Sequence, residues 1–184
     1  TLGTVAGTVI AIGLWWSEWA SRILEPYLVV LNALPKTALG PIFIVWIGAG
    51  TASIIAMTVA ISIIVTILNM HSAFLSTDGE KIRLLRTFGA SRRQILRYLV
   101  FPANYAALFN TLKVNVGLSW VGAIMGEFLV SKAGLGYLIV YGSQVFNMDL
   151  VMASILILSA AAVVMYQGVL RLEKLLGNRL GVML

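Results

Sequence analysis

The sequence predicts an all-α integral membrane protein, a polytopic bundle of five to six transmembrane helices with a paired-helix hairpin on its cytoplasmic face. Of the 184 residues, 60% are apolar and only 11% charged, against about a quarter charged in ordinary soluble domains. The apolar residues gather into runs on the scale of a hydrocarbon core about 30 Å thick. Six of the thirteen Lys and Arg fall between Lys81 and Arg97, in one gap between such runs, as the positive-inside bias predicts for a cytoplasmic loop. A single membrane domain over residues 1–184 accounts for the pattern, with 77–98 as the cytoplasmic loop and 128–149 as an external segment.

Each element has its own signals. Leu2 to Trp16 is apolar, with Gly3 and Gly7 four apart, but falls short of the roughly 20 residues a spanning helix needs. The expectation is that part of this helix, and its N-terminal neighbour, lies upstream or that the chain is a fragment; the run lacks the basic start of a signal peptide. Trp15, Trp16 and Trp19 suit a headgroup-level aromatic belt. From Pro26 to Ile47 the next span is interrupted by Pro35, Gly40 and Pro41, which predicts a broken or kinked helix. Within it, Lys36 is expected to snorkel to the interface, with attraction of an anionic solute as the alternative.

Thr51 to Met70 is a plain span rich in Ile, Val and Ala, and His71 after it is read as an interfacial polar residue. A pH-sensing role for His71 stays open, although the sequence shows no partner for it. Pro102 to Val130 forms a span carrying Asn104, Asn110, Lys113, Asn115, Ser119 and Glu127. Phe128 to Asp149, with Gly134, Gly136 and Gly142, is too apolar for a free loop and reads as a re-entrant turn followed by a short helix. Leu150 to Leu170 is the last span, ended by Arg171, Glu173, Lys174 and Arg179. Strict alternation then puts ten of the thirteen Lys and Arg on the side of the 71–101 loop, which fixes the orientation.

The net charge of +6 raises the question of a nucleic-acid partner, but topology already accounts for where the charge sits. With no cysteine in the chain, disulfides, thiolate metal sites and thiol catalysis are excluded. Neither a Gly-x4-Gly-Lys-Ser/Thr phosphate loop nor a His-Glu-x-x-His zinc site occurs.

Between Met70 and Pro102 the punctuation changes. Thr77-Asp78-Gly79-Glu80 fits a capping box opening a helix with Ile82, Leu85 and Phe88 on one stripe. Gly89 suits a left-handed stop. Ser91-Arg92-Arg93-Gln94 is a second capping box, leading to Ile95, Leu96 and Leu99, and Pro102 punctuates the next span. Such a hairpin, apolar on one stripe and basic at its rim, suits docking on a soluble partner; a solvated positive-inside loop is the plain alternative.

Gly89, nine residues from Ala90 to Tyr98, and then Leu99-Val100-Phe101-Pro102 resemble the signature loop of binding-protein-dependent ABC importer permeases. The Glu-Ala-Ala positions of that pattern are held here by Arg83, Leu84 and Leu85. Two further segments resemble the nitrate/sulfonate/taurine branch of the family. They are Leu34-Pro35-Lys36-Thr37-Ala38-Leu39-Gly40-Pro41 with Val45-Trp46-Ile47-Gly48, and Gly134-Leu135-Gly136-Tyr137-Leu138-Ile139 after Gly126-Glu127. The resemblance implies a type I importer permease of the bacterial inner membrane. Expected partners are a cytoplasmic ATP-binding subunit, a second permease copy, an external solute-binding protein and membrane lipid, with no nucleic acid.

It also implies that this chain is not an enzyme and holds no cofactor, ATP and Mg being bound by the partner ATPase. The residues expected to couple to that ATPase are Arg83, Leu85, Phe88, Gly89, Ala90, Ser91, Arg92, Arg93 and Pro102. Candidates for the translocation pathway are Asn115 and Ser119, four apart on one helical face, and Glu127 farther along that stripe. The alternatives are interhelical hydrogen bonds for the first two and simple solvation for Glu127. For Gly3/Gly7 and Gly122/Gly126 the spacing also fits ordinary close helix packing.

Three other functions stay open: a permease of the methionine or phosphonate branch, a non-transporting membrane anchor for an ATPase, and a membrane-embedded enzyme. The enzyme lacks paired acids or a Ser/His constellation at membrane depth.

Overall fold

The computed structural model describes residues 2–35, 38–130 and 133–180, and the described residues form helices joined by short turns. Lys36 and the readings attached to it lie outside the described residues. In chain order the helices are α1 (Leu2–Trp16), α2 (Glu18–Ala33), α3 (Leu39–Ile47), α4 (Thr51–Leu75), α5 (Gly79–Thr87) and α6 (Arg92–Ile95). A π-helical turn, Leu96–Val100, leads to the short α7 (Phe101–Ala103), then α8 (Tyr105–Val130), α9 (Leu135–Gln144) and α10 (Met148–Leu180).

Three of these, α4, α8 and α10, are individually long and apolar enough to cross a membrane. The span expected over Pro26–Ile47 is instead two helices. Ser17 caps the first, its hydroxyl accepting from Ala20 N at 3.3 Å, and Glu18 in the first turn suits the positive helix end. Pro26 therefore lies inside α2 and does not open the span. The break comes at Leu34, forced into an extended conformation (φ −60°, ψ 137°) because the residue before proline is excluded from the helical region.

Other boundaries also moved. Helix α4 runs five residues beyond Met70, so His71 and Phe74 are helical and buried. The last span continues to Leu180, so Arg171, Glu173 and Lys174 ride on α10 and do not end it. At 33 residues, α10 is about 50 Å long, more than a bilayer core of about 30 Å can cover.

Helix α4 is the axis of the bundle. Two glycine pairs cut notches that let neighbours reach its backbone. A Cβ on Gly3 would strike the Ser62 hydroxyl, and one on Gly7 would lie 2.6 Å from Thr66 Cβ. On the other flank, a Cβ on Gly122 would lie 2.8 Å from Thr58 Cα, and one on Gly126 equally close to the Ile54 side chain. Paired by these contacts, α1 runs parallel to α4 and α8 antiparallel to it. The α4 hydroxyls at these positions bond back along their own helix, Thr58 to Ile54 O, Ser62 to Thr58 O and Thr66 to Ser62 O, at 2.7–3.0 Å. Small polar side chains thus face the notches without an unmet donor, a necessity where lipid offers none.

The C-terminal end of α4 carries the apolar core. Met70 and Phe74 pack with Ala11 of α1, Ile95 of α6 and Val100, and Ile82, Leu85, Ala90, Leu96 and Phe101 close over them. The hairpin of residues 77–103 is therefore seated on the ends of α1 and α4.

The notches generate a prediction. Gly122→Ala forces a Cβ against the α4 backbone and should lower stability by about 1–3 kcal/mol, seen as a lower thermal midpoint of the detergent-solubilised protein. Gly117→Ala, on the same helix with open space around it, should leave the midpoint unchanged or slightly raised. Equal effects at both positions would remove the notch as the cause.

Candidate functional site

The hairpin forms an elbow of two short helices, α5 and α6, and begins at Asp78, whose carboxylate accepts from Glu80 N at 2.9 Å and caps α5. This corrects the expected capping box: Thr77 lies one residue before the cap. Its hydroxyl instead accepts from Asn104 Nδ2 at 2.8 Å, and that amide also donates to Val100 O at 2.8 Å. Asn104 thus staples the start of the elbow to its end. Glu80 N holds the Asp78 carboxyl below its ordinary value. A lowered folded-state pKa means that the cap contributes fully above the ordinary carboxylate pKa and fades as pH falls through the lowered one.

Gly89 takes φ +80°, and the Ala90 amide reaches back to Leu85 O at 3.0 Å, the left-handed stop that glycine permits. At Ser91 both bonds of the expected capping box are present: the Ser91 hydroxyl accepts from Gln94 N, and Gln94 Oε1 accepts from Ser91 N. Ahead of Pro102, which has no N–H to give, the helix widens into the π turn, with Phe101 N bonding Leu96 O.

The apolar stripe of the elbow is split. Ile82, Leu85 and Ala90 turn inward onto the core, whereas Phe88 is 78% exposed. The cause is local: α5 ends at Thr87, so Phe88 is its C-cap and has left the helical stripe. Leu84, 55% exposed, joins it on the outer face, and Arg83 between the two capped ends is exposed as well. Arg86 and Arg93, also exposed, line grooves shared with Arg92. Pro102 is half-buried at the elbow's foot.

Arg92 faces the other way. Its Nη2 donates to Trp15 O at 3.3 Å, its guanidinium lies 5.5 Å from the Trp15 ring centroid, and Glu18 Oε1 is 3.9 Å away. Nearby, His71 Nε2 and Ser21 Oγ are 3.0 Å apart, joining α4 to α2. The sequence showed no partner for His71 because Ser21 is fifty residues away. Likewise, Lys113 has a distant partner: its Nζ is 2.7 Å from Glu173 Oε2, with side chains 18% and 15% exposed. That pair joins α8 to α10.

The three residues singled out on α8 do not converge. Asn115, 2% exposed, donates through Nδ2 to Thr4 Oγ1 at 2.8 Å and Thr66 Oγ1 at 2.7 Å, bridging α8 to α1 and α4. Ser119 donates to Asn115 O at 2.7 Å and lines an apolar groove with Thr58, Val59, Trp120 and Met165. Glu127 Oε2 accepts from Gly136 N at 2.7 Å, placing an anion at the start of α9, where the helix dipole favours it. Gly134 at φ +114° and Gly136 leave room for that carboxylate, which a Cβ at either position would crowd.

Asn115 and Glu127 thus tie helices together, and the exposed apolar face of Phe88 and Leu84 lies on the elbow. Residues 3–182 match the family described as "Binding-protein-dependent transport system inner membrane component". The chain is 31% identical over 175 residues to the formylaminopyrimidine transport permease protein ThiX of Halalkalibacterium halodurans, covering 95% of this chain and 70% of that protein. It is also 31% identical to the riboflavin transport system permease protein RibX of Chloroflexus aurantiacus, covering 86% of this chain and 59% of the relative. To the taurine transport system permease protein TauC of Escherichia coli it is 23% identical, covering 91% and 61%.

The Glu127 bond generates a prediction. Glu127→Gln keeps the shape but removes the charge, and hydrogen bonds to charged groups contribute about 1.5–3 kcal/mol. Exchange of the Gly136 amide should therefore accelerate about tenfold or more, measured by hydrogen–deuterium exchange. Unchanged protection would show that α9 is held without the carboxylate.

Proposed function

We propose a mechanism for a chain that belongs to the family of binding-protein-dependent transport system inner membrane components and is a multi-pass membrane permease of the ABC importer type. The outer face of its elbow docks in a groove of a separate cytoplasmic ATPase, which binds ATP and Mg, while two permease copies enclose the solute path. The observation that carries this reading is the split stripe: Leu85 and Ile82 seat the elbow on the bundle, and Phe88 and Leu84 stand exposed. A phenylalanine 78% exposed is poorly suited to free solvent and well suited to a partner's pocket.

Closure of the ATPase pair on ATP moves the elbow, and the elbow moves the bundle between inward- and outward-facing states. Because α1 and α4 share its apolar floor, a displacement of the elbow acts on both. The path runs along the interface with the second copy, and Ser119 is the strongest of the three α8 candidates to border it, since Asn115 and Glu127 are already engaged in holding helices. Lys113 contributes no free charge to such a path, being paired with Glu173. The relatives are named for formylaminopyrimidine, riboflavin and taurine, solutes of different size and charge. Selection therefore falls to an external solute-binding protein.

The test separates the two faces. Phe88→Ala should weaken association with the ATPase subunit about 30-fold, the equivalent of about 2 kcal/mol for a buried aromatic anchor, in copurification or titration of the solubilised permease. Leu85→Ala should instead lower thermal stability by about 2 kcal/mol or more with association altered less than about threefold. Normal association of Phe88→Ala would overturn the docking face. Gly89→Val, strained by about 1–2 kcal/mol at positive φ, should lower ATP turnover supported by the complex while leaving membrane insertion intact; full turnover would contradict a fixed elbow geometry.

A further inference from the structure

The broken helix poses a mechanical question. Helix α2 has no buried residue, so movements of the packed core reach it weakly through side-chain packing. Its start is held by two polar contacts: Ser21 Oγ to His71 Nε2 at 3.0 Å, and Glu18 to Arg92. The first comes from α4, inside the core. The second comes from the elbow itself.

We infer that Arg92 is a positioning residue, a strut that carries displacement of the elbow directly to the α1–α2 corner and hence to the broken helix α2–α3. The inference rests on the docking of the elbow proposed above. The guanidinium spans the junction. It donates to the Trp15 carbonyl at 3.3 Å, in the last turn of α1, where carbonyls lack an intrahelical donor and a cation is favoured. It lies 5.5 Å from the Trp15 ring centroid, in reach of the ring's negative face. It also stands 3.9 Å from Glu18 in the first turn of α2.

One rigid planar group thus touches the end of one helix and the beginning of the next from a third. A lysine would keep the charge but not the fork that makes several contacts at once. The neighbouring Arg93, lining a groove beside Trp16 and Ile12, has none of these three contacts.

The test uses the full-length permease in complex with its ATPase, reconstituted in nanodiscs. This chain contains no cysteine, so spin labels can be placed at Lys81→Cys on the elbow and Tyr27→Cys on α2, all other native cysteines of the complex having been replaced. A second pair joins Lys81→Cys to Val145→Cys at the turn after α9. Distances are measured without nucleotide and after trapping with ATP and vanadate.

With Arg92 present, the elbow–α2 distance should be the same in both states, while the elbow–outer-turn distance changes. In Arg92→Ala the elbow–α2 distance should shift between states by about 2 Å or more, the scale of helix displacements at moving interfaces. Arg92→Lys should give an intermediate shift, and Arg97→Ala none. An elbow–α2 distance as invariant in Arg92→Ala as in the parent overturns the strut while leaving docking in place. If the elbow–outer-turn distance does not respond to ATP and vanadate in the parent, the docking reading fails and the strut with it. Should Arg92→Ala not assemble, Arg92→Lys decides by the same comparison, an invariant elbow–α2 distance counting against the strut.

Discussion

A bilayer gives helices no hydrophobic reward for touching one another, because lipid tails are as apolar as the side chains they would replace. Close backbone approach and a few hydrogen bonds must hold the bundle, and both meet on α4. Gly3 and Gly7 admit α1 to its middle, at Ser62 and Thr66, and Gly122 and Gly126 admit α8 to its N-terminal half, at Thr58 and Ile54. Asn115 then ties all three helices with two bonds from one amide. The rest follows from that seam. It fixes α1 and α8 in register beside α4, and so brings Ala11, Met70 and Phe74 to one level as the floor on which the elbow sits.

The elbow answers a different requirement. Its two helices are short, so their ends must be closed by side-chain caps and a left-handed turn. Asp78, Gly89 and Ser91 close the ends of its two short helices, and Asn104 staples its feet. The division of its apolar residues comes from helix length: α5 stops one residue short of Phe88, which turns that ring outward while Leu85 stays on the floor. Its charges divide as well. Arg92, exposed like Arg83 and Arg93, is engaged with the α1–α2 corner.

Much of this was legible in the residues. Hydropathy located α4, α8 and α10, the prolines located the break after α2, and the glycine and serine signals located the turn at Gly89 and the cap at Ser91. Glycine pairs four apart announced close packing, though not against which helix. What could not be read were partnerships across distance. Ser21 with His71, Thr77 with Asn104, and Lys113 with Glu173 lie 50, 27 and 60 residues apart, and each residue alone reads as solvated, interfacial or snorkelling. The same limit affected the α8 residues, because side chains on one stripe of a helix find different neighbours at different depths. Helix ends were misplaced where packing outlasted hydropathy, as at the C-terminal end of α4 and along α10.

The central claim is that the side of the elbow bearing Phe88 meets a cytoplasmic ATPase and the side bearing Leu85 does not. A photoreactive amino acid introduced at position 88 or at position 85 of the full permease, irradiated in the assembled complex, tests it most directly. The account predicts a cross-link to the ATPase subunit from position 88, and cross-links confined to the permease from position 85. A cross-link to the ATPase from 85 but not from 88, or from neither, would contradict it.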